Sequence, residues 1–332
     1  MKNLLTDIAG VRVGHADDIR LASGVTAVIF DKPAVAAIDV RGGGPGTRET
    51  ALLDPAQTVE GIDAITLSGG SAFGLDAASG TQAWLKEHGR GFVVRSVRVP
   101  IVPAAILFDL LNGGDKDWGR FPPYRELGYA AAAAAGIEFA LGSVGAGAGA
   151  TTVNCKGGVG SASAQTPDGH WVGALAVVNA VGSVIIDKGP WFWAAPFEQN
   201  GEFGGRGLPQ VFPPNALATR IKGGPNESTT LVVVVTDAIL TKAQAKRLAV
   251  MAQSGLSRAI YPIHTPLDGD VLFAASTGRH PLTNPQIGLT GLGSLAAHVV
   301  ARAIARGVFE ATALPFSGAV PSWKEQFNRE HN

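Results

Sequence analysis

The sequence contains very little cysteine and little charge for its length. A single cysteine, Cys155, occurs among 332 residues, which excludes an intrachain disulfide and a metal site built from cysteines. Charged residues make up only 16% of the chain, and 27 Lys and Arg balance 27 Asp and Glu. Because nucleic-acid-binding proteins usually carry a clustered basic face, we expect no nucleic-acid partner.

Two kinds of hydrophobic segment are also lacking. The first residues, MKNLLTD, contain no apolar run of the signal-peptide kind. No stretch reaches the roughly 18 uncharged apolar residues that predict a membrane helix. We therefore expect a soluble cytoplasmic protein without a membrane partner.

Glycine and apolar side chains are abundant instead. The chain has 44 glycines, and 46% of its residues are hydrophobic. Disorder needs low hydrophobicity together with high net charge, so this composition predicts a compact α/β protein. The length allows one large domain or two small ones, with ample core in either case.

The most informative stretch is NESTTLVVVVTD at 226–237. Residues 231–235 are five consecutive apolar residues, which predict a strand buried on both faces of a sheet. Ser228, Thr229 and Thr230 come directly before that strand. A hydroxyl held at the end of a rigid strand suits nucleophilic chemistry. The alternative is that threonine favours strands and serine favours turns, without any chemistry.

Hydrophobic patterns elsewhere predict the remaining elements. Further strands are predicted at 25–30, 34–40, 64–67, 171–179, 183–187 and 271–276. Helices are predicted through 84–85, at 129–136, after the capping box formed by Thr241 and Gln244, and at 293–308. The segment GGPN at 223–226 predicts a turn.

Two glycine-rich loops are open to two interpretations each. Residues 41–47, RGGGPGT, either cradle an anion or form a plain loop, because they match neither nucleotide-binding fingerprint. Ser68, Gly69 and Gly70 lie between a predicted strand and a helix. The N–H groups of that turn either face a carbonyl or carboxylate group, or the glycines only allow close helix–sheet packing.

Two polar residues lie among small and apolar neighbours. Lys156 is the lone cation of segment 142–160, whose glycine density excludes a helix and predicts close backbone contacts. The alternative for Lys156 is a side chain that reaches solvent from a turn. Asn179 ends the strand predicted at 171–179, where its amide either forms a turn or donates a hydrogen bond into a site.

Asp268 and Asp270 stand two residues apart before the strand at 271–276. Their carboxylates point to the same side if the strand geometry extends that far, and close like charges raise one of the two pKa values. Such a pair can hold or relay a proton. An Asp-Gly-Asp turn is the alternative, whereas a calcium loop lacks its remaining ligands.

A hydroxyl nucleophile also needs a base. No serine lies in a G-x-S-x-G elbow, and no histidine has positive support from its sequence neighbours. The available histidines are His15, His88, His170, His264, His280, His298 and His331. A threonine freed by chain cleavage would instead use its own α-amine, whose pKa near ~8 suits a general base.

Six segments together resemble a known family. They are LTDIAGVRVGH at 5–15, VRGGG at 40–44, LSGGSAFGL at 67–75, KGGVG at 156–160, STTL at 228–231 and residues 264–273. The chain resembles the self-processing family of L-aminopeptidase/D-esterase, β-peptidyl aminopeptidases and the nylon-oligomer (aminohexanoate-oligomer) endohydrolase. This resemblance covers nearly the whole chain. It implies an α/β fold, a four-layer αββα sandwich of the N-terminal-nucleophile hydrolase type, with residues 1–332 as a single domain.

The resemblance implies that the chain cuts its own backbone between Ser228 and Thr229. The products would be an α fragment, 1–228, and a β fragment of 104 residues (332 − 228). In the nylon-oligomer enzyme two aspartates follow the nucleophile by 39 and 41 positions. Asp268 (268 − 229 = 39) and Asp270 (270 − 229 = 41) match them, so the chain looks closer to the nylon-oligomer branch.

The same resemblance assigns further site residues. Lys156 matches the family's site lysine, which would lower the pKa of the Thr229 amine and keep it neutral. Asn179 matches the asparagine that would donate to the oxyanion. Phe108 stands where the family has a tyrosine, and Ser228 stands where the nylon-oligomer enzyme has an asparagine.

The expected function is a self-cleaving amide hydrolase that forms an acyl-enzyme and needs no cofactor or metal. We expect a small-molecule amide or short peptide as substrate, a pocket that includes Phe108, Ser68, Gly69 and Gly70, and a homotetramer of processed units. One rival is acyl transfer, as in ornithine acetyltransferases. The other is a catalytically dead small-molecule binding protein.

Overall fold

The structure is a computed structural model that describes residues 1–222 and 228–327. The turn predicted at 223–226 and His331 lie outside the described residues. The strands are β1 (Val11–Asp18), β2 (Ser23–Val40), β3 (Gly46–Arg48), β4 (Ile62–Ser68), β5 (Phe92–Val94), β6 (Val97–Val99), β7 (Ala104–Ile106), β8 (Gly158–Gln165), β9 (Trp171–Asn179), β10 (Thr229–Ala238) and β11 (Val271–His280). The helices are α1 (Ala77–Glu87), α2 (Tyr124–Ala133), α3 (Lys242–Ala252), α4 (Ser254–Ser257), α5 (Pro285–Phe309) and α6 (Trp323–Phe327).

The long strand β2 joins two sheets. Its first half pairs antiparallel with β1 and β4, and that sheet continues through β7 to β3. Its second half pairs antiparallel with β11, and the second sheet continues through β10 and β9 to β8. The β10–β11 pair is parallel, so both strands begin at the same edge of the sheet. That edge carries Thr229 at the start of one strand and the Asp268–Asp270 segment before the other.

Three apolar clusters separate the layers of the fold. Val232 and Val234 of β10 pack against α3 and α5, whereas Leu231, Val233 and Val235 face the other sheet. A third cluster lies between the outer face of that other sheet and α1 and α2. Because alternate side chains of a strand point to opposite faces, β10 is buried on both sides. The order is helix, sheet, sheet, helix, which confirms the αββα expectation.

Two strand predictions were wrong. The segments at 25–30 and 34–40 form the single strand β2, because the exposed residues 31–33 lie where the strand passes from one sheet to the other. Residues 183–187 form no strand, since β8 and β10 already occupy both edges of β9. Ser183 and Ile185 instead make isolated bridges with Tyr261 and Phe192.

Helix α5 is the central helix of its layer. By length and composition it would also be apolar enough to cross a membrane, but its apolar side chains belong to the cluster that covers β8 and β9. A Cβ on Gly160 of β8 would lie 1.9 Å from the Ala303 carbonyl oxygen of α5. Only glycine permits this approach, which confirms the close backbone contacts expected for segment 142–160.

Candidate active site

The scissile bond predicted from the sequence lies at the start of β10. The Thr229 hydroxyl donates a hydrogen bond of 2.6 Å to the Ser228 carbonyl oxygen. The backbone N–H of Gly269 donates to the same oxygen at 2.9 Å. Both residues are buried, with Ser228 3% and Thr229 4% exposed. The carbonyl therefore has a hydroxyl beside it and an amide donor aimed at its oxygen, which is the arrangement that stabilises an oxyanion.

Gly269 is a site residue that the sequence reasoning missed. A Cβ at this position would lie 2.6 Å from Thr229 Oγ1 and 2.9 Å from the Gly44 carbonyl oxygen. Glycine is therefore required for the backbone N–H to reach the Ser228 carbonyl beside the hydroxyl. The available signal was its place between two aspartates, which we interpreted only through their carboxylates.

Asp268 and Asp270 are both completely buried. Asp268 accepts hydrogen bonds from the Val181 N–H at 3.3 Å and from the N–H and hydroxyl of Thr265, both at 2.9 Å. Burial raises the pKa of Asp268, and the neighbouring Asp270 carboxylate raises it further. The structure thus brings the two aspartates together as a coupled pair, and it shows the raised pKa that their spacing led us to expect.

Asp270 connects the nucleophile strand to a histidine. One carboxylate oxygen accepts the Thr230 N–H at 2.8 Å. The other accepts two donors from His264, the backbone N–H at 3.1 Å and the ring Nδ1 at 2.9 Å. Asp270 therefore holds the residue that follows Thr229.

The glycine loop at 41–47 supports this pair of aspartates. The Gly44 N–H donates to the Asp268 carbonyl oxygen at 2.8 Å, and the Gly42 N–H donates to the Asp270 carbonyl oxygen at 3.3 Å. A Cβ on Gly42 would lie 2.3 Å from the Asp270 nitrogen. The loop is therefore neither the anion cradle nor the plain loop of the sequence interpretation, because its N–H groups bind the protein's own backbone.

A cavity of about 450 Å³ opens next to this edge of the sheet. Phe108, Asp109, Lys156 and Asn179 are among its lining residues. Asn179 is the β9 residue paired with Thr229 of β10. Thr229 itself, and the predicted pocket residues at 68–70, are not among the described residues that line it.

Asn179 bridges the cavity wall and β9. Its amide nitrogen donates to the Phe108 carbonyl oxygen at 2.9 Å. Its side-chain oxygen accepts from the Thr151 N–H at 3.0 Å and from Lys222 Nζ at 2.9 Å. Lys222 is a second cation of the site that the sequence reasoning missed, because it precedes the hydroxyl cluster by several residues and carries no motif.

Lys156 is buried, with 1% of its surface exposed, so the alternative of a lysine reaching solvent is wrong. Its ammonium donates to the carbonyl oxygens of Gly147 at 3.0 Å and Gly157 at 2.8 Å. Burial lowers the pKa of Lys156 to about 7, and the nearby Lys222 lowers it while Asp109 acts in the opposite direction. The amine is therefore present in both charge states near neutral pH.

The turn at 68–70 lies behind the cavity wall, against Asp109. The Gly70 N–H donates to one Asp109 oxygen at 2.7 Å, and the Ser23 hydroxyl donates to the other at 2.6 Å. The Tyr124 hydroxyl donates to Ser23 in turn, at 3.1 Å. The N–H after the strand thus faces a carboxylate, as one interpretation held, but this carboxylate belongs to the protein. Burial raises the pKa of Asp109.

Comparison with known sequences places this arrangement in a family context. The sequence model of Peptidase family S58 matches residues 3–319. The chain is 43% identical to an uncharacterized aminopeptidase of Mycobacterium tuberculosis, over 98% of each chain. It is 28% identical to a 6-aminohexanoate-oligomer endohydrolase of Paenarthrobacter ureafaciens, over 89% of this chain and 82% of the relative.

Solved structures show the same fold at low sequence identity. A β-aminopeptidase from Burkholderia sp. superposes with a TM-score of 0.71 at 22% identity, covering 98% of this chain and 92% of the other. The L-aminopeptidase D-Ala-esterase/amidase of Ochrobactrum anthropi, described as a variant of the Ntn hydrolase fold, superposes with a TM-score of 0.72 at 20% identity, covering 99% and 95%. These similarities confirm the fold class expected from the sequence.

Proposed function

The chain belongs to Peptidase family S58 and is an amide hydrolase, and on that premise we propose that it cleaves itself before Thr229 and then acts through an acyl-enzyme on this threonine. The single observation that carries the proposal is the contact between the Thr229 hydroxyl and the Ser228 carbonyl. The two groups that must react are hydrogen-bonded to each other before any cleavage. Ser228 in place of an asparagine does not disturb this contact, because the contact uses only its backbone.

The first proposed reaction is an acyl shift within the chain. Thr229 Oγ adds to the Ser228 carbonyl carbon, and the Gly269 N–H stabilises the oxyanion that forms. The C–N bond then breaks, the hydroxyl proton passes to the departing amine, and an ester joins Ser228 to Thr229 Oγ. Water hydrolyses that ester. The products are the Ser228 carboxylate and a threonine with a free amine and hydroxyl.

The second proposed reaction uses the freed threonine on an external amide. Its α-amine takes the hydroxyl proton while Oγ attacks the substrate carbonyl, so an acyl-enzyme forms and the substrate amine leaves with the proton. Asn179 is the proposed oxyanion donor, because its amide lies on the strand paired with Thr229. Lys156, with a pKa near 7, is the proposed cation that keeps the α-amine neutral. Asp268 and Asp270 hold the start of β10.

The cavity supports a small amide or a short peptide as the substrate. Its volume of about 450 Å³ is typical of small-molecule pockets, which span roughly 300–1,000 Å³. Two relatives carry names that point to amide substrates, an aminopeptidase and a 6-aminohexanoate-oligomer endohydrolase. Phe108 on the cavity wall is the proposed contact for an apolar part of the substrate.

We also propose that processed chains assemble into a homotetramer in the cytoplasm. The hairpin of β5 and β6 supports assembly, because its strands pair only with each other among the described residues. Its apolar side chains are about half exposed: Phe92, Val93, Val94, Val97 and Val99. They present roughly 400 Å² of apolar surface, a size that on a soluble protein usually marks a contact site. A second copy of the chain is the partner we propose for it.

N-terminal sequencing and intact mass of the purified protein test the cleavage. We expect two fragments, of 228 and 104 residues, with Thr229 as the first residue of the smaller one. Thr229→Ala should remain full length and inactive, and Thr229→Ser should still cleave. A full-length protein that hydrolyses amides, with no N-terminal threonine, would exclude this mechanism.

A further inference from the structure

His264 makes two hydrogen bonds to one oxygen of a buried carboxylate. Its backbone N–H and its ring Nδ1 both donate to the same Asp270 oxygen, at 3.1 and 2.9 Å. This geometry requires the left-handed backbone conformation of His264, whose φ is 58°. Non-glycine residues adopt that conformation rarely, and they do so most often at functional sites. The second Asp270 oxygen accepts the Thr230 N–H, so Asp270 links His264 to the residue after the nucleophile.

We infer that His264 is a positioning residue: it holds Asp270 charged against the Thr230 N–H and leaves the shared proton of the aspartate pair on Asp268. This inference rests on the proposed function, because it assigns the two aspartates different tasks in the same site. His264 acts through Asp270 and needs no contact with the substrate.

The hydrogen-bond donors around the two carboxylates differ in kind. Asp268 accepts from two backbone N–H groups and one hydroxyl, all of them neutral. Asp270 accepts from two backbone N–H groups and from an imidazole, which becomes a cation when it takes up a proton. Two buried carboxylates this close cannot both ionise at low cost. The negative charge therefore resides on Asp270, and the raised pKa of Asp268 is consistent with this division.

Solvent reaches the histidine but not the carboxylates. The His264 side chain is 23% exposed, whereas the Asp270 side chain has no exposure. His264 thus exchanges protons with water while Asp270 stays dry. The other charged groups near this segment are Asp268 and, on the adjoining end of β2, Arg41, whose side chain pairs with Asp39.

A pinned Thr230 explains why this arrangement matters for the reaction. The Thr230 N–H fixes the first turn of backbone after Thr229, and the Thr229 hydroxyl must point at the Ser228 carbonyl across 2.6 Å. Loss of charge or of orientation at Asp270 would let this end of β10 shift. A misplacement of about 1 Å costs up to a hundredfold in rate when it separates reacting groups.

Two substitutions of His264 separate positioning from simple packing. His264→Ala removes the ring donor, and we expect self-cleavage and kcat to fall at least tenfold with little change in KM. His264→Asn keeps a side-chain donor and tolerates the left-handed conformation, and we expect its rates within about threefold of the wild-type rates. With alanine, the acid limb of the kcat profile should move to higher pH, because Asp270 loses a donor that favours its charged form.

The aspartates provide a second readout that does not depend on His264. Asp268→Asn replaces a protonated carboxyl with a neutral amide, whereas Asp270→Asn removes the charge. We expect Asp270→Asn to slow self-cleavage at least tenfold more than Asp268→Asn. Melting temperatures of all variants, each measured with Thr229→Ala to keep the chain whole, report whether the fold is retained.

Three results would overturn the inference. They are wild-type rates and pH profile for His264→Ala, equal losses for His264→Ala and His264→Asn, and a larger loss for Asp268→Asn than for Asp270→Asn. Failure of the proposed function looks different, since cleavage would then continue in Thr229→Ala. In that case the roles of both aspartates would need a different nucleophile.

Discussion

Gly269 lies against Thr229 so closely that a Cβ on residue 269 would stand 2.6 Å from the threonine Oγ1. The same glycine donates its N–H to the Ser228 carbonyl oxygen. The hydroxyl, the carbonyl and the amide donor therefore fit together only because one residue has no side chain.

The first prediction concerns this fit. We expect Gly269→Ala to slow self-cleavage at least a hundredfold, because the added methyl group displaces the Thr229 hydroxyl or the Gly269 N–H from the carbonyl. Removal of one oxyanion donor alone costs about 10²–10³ in rate in other hydrolases. Intact mass against time after purification measures the effect.

Gly291→Ala is the matched control for that substitution. A Cβ on Gly291 of α5 meets no atom within 4 Å, so this variant should cleave like the wild type. Normal cleavage in Gly269→Ala would show that the contact with Thr229 has no part in the reaction.

The second prediction is a pH dependence of stability caused by Lys156. Its pKa in the folded chain is about 7, below the ordinary value of 10.5. Between these two values the unfolded chain binds a proton that the folded chain has released, so stability rises with pH across this window. Below pH 7 both states are protonated, and the cost of burying the charge is fully present.

Lys156→Met should remove this slope, which amounts to at most about 1.4 kcal/mol per pH unit for one proton. Urea unfolding at several pH values between 6 and 9, in the Thr229→Ala background, measures the difference between the chains with and without the substitution. Parallel pH profiles for these two chains would contradict the lowered pKa of the lysine.

The third prediction concerns a buried ion pair that joins the two proposed fragments. Glu202 lies in the segment 1–228 and accepts from Arg302 Nη2 of α5 at 3.0 Å. The side chains are 8% and 2% exposed. We expect Glu202→Gln to lower the free energy of unfolding by roughly 3 kcal/mol, because a buried arginine loses its counter-charge.

Chemical denaturation of the uncleaved Thr229→Ala chain measures this loss. Glu60→Gln, at an exposed loop position, should change stability by less than about 0.5 kcal/mol. In the processed protein, Glu202→Gln should also let the two fragments separate at a lower urea concentration. Equal stability of the two glutamine variants would show that the pair does not hold the fragments together.

The fourth prediction concerns the β5–β6 hairpin. Val94→Asp places a charge on a strand whose apolar side chains are half exposed, so we expect the chain to fold normally and its assembly to weaken. Sedimentation velocity at several concentrations measures the mass of the particle. Val211→Asp, at a position 84% exposed in another segment, should leave assembly intact, and a tetramer in both variants would exclude the hairpin as a contact.

Local patterns in the sequence predicted the elements that carry the chemistry. The valine run predicted a strand buried on both faces, and β10 has that burial because alternate side chains enter two different cores. The capping box predicted the start of α3, where the Thr241 hydroxyl accepts the Gln244 N–H and the Gln244 side chain accepts the Thr241 N–H. Spacing also predicted that Asp268 and Asp270 interact. Each of these signals acts within a few residues of chain.

Only the tertiary structure decided what the glycines and His264 do. The role of Gly269 depends on β10 and β11 beginning side by side, and the loop at 41–47 acquires its partners from β2 running next to β11. His264 was one of seven histidines in the sequence, and its contact with Asp270 depends on a left-handed turn that no local pattern marked. A sequence determines which side chains a strand can bury, because burial follows the period of the strand. The contacts between distant backbones depend on how whole sheets stack, so they are settled only when the fold is complete.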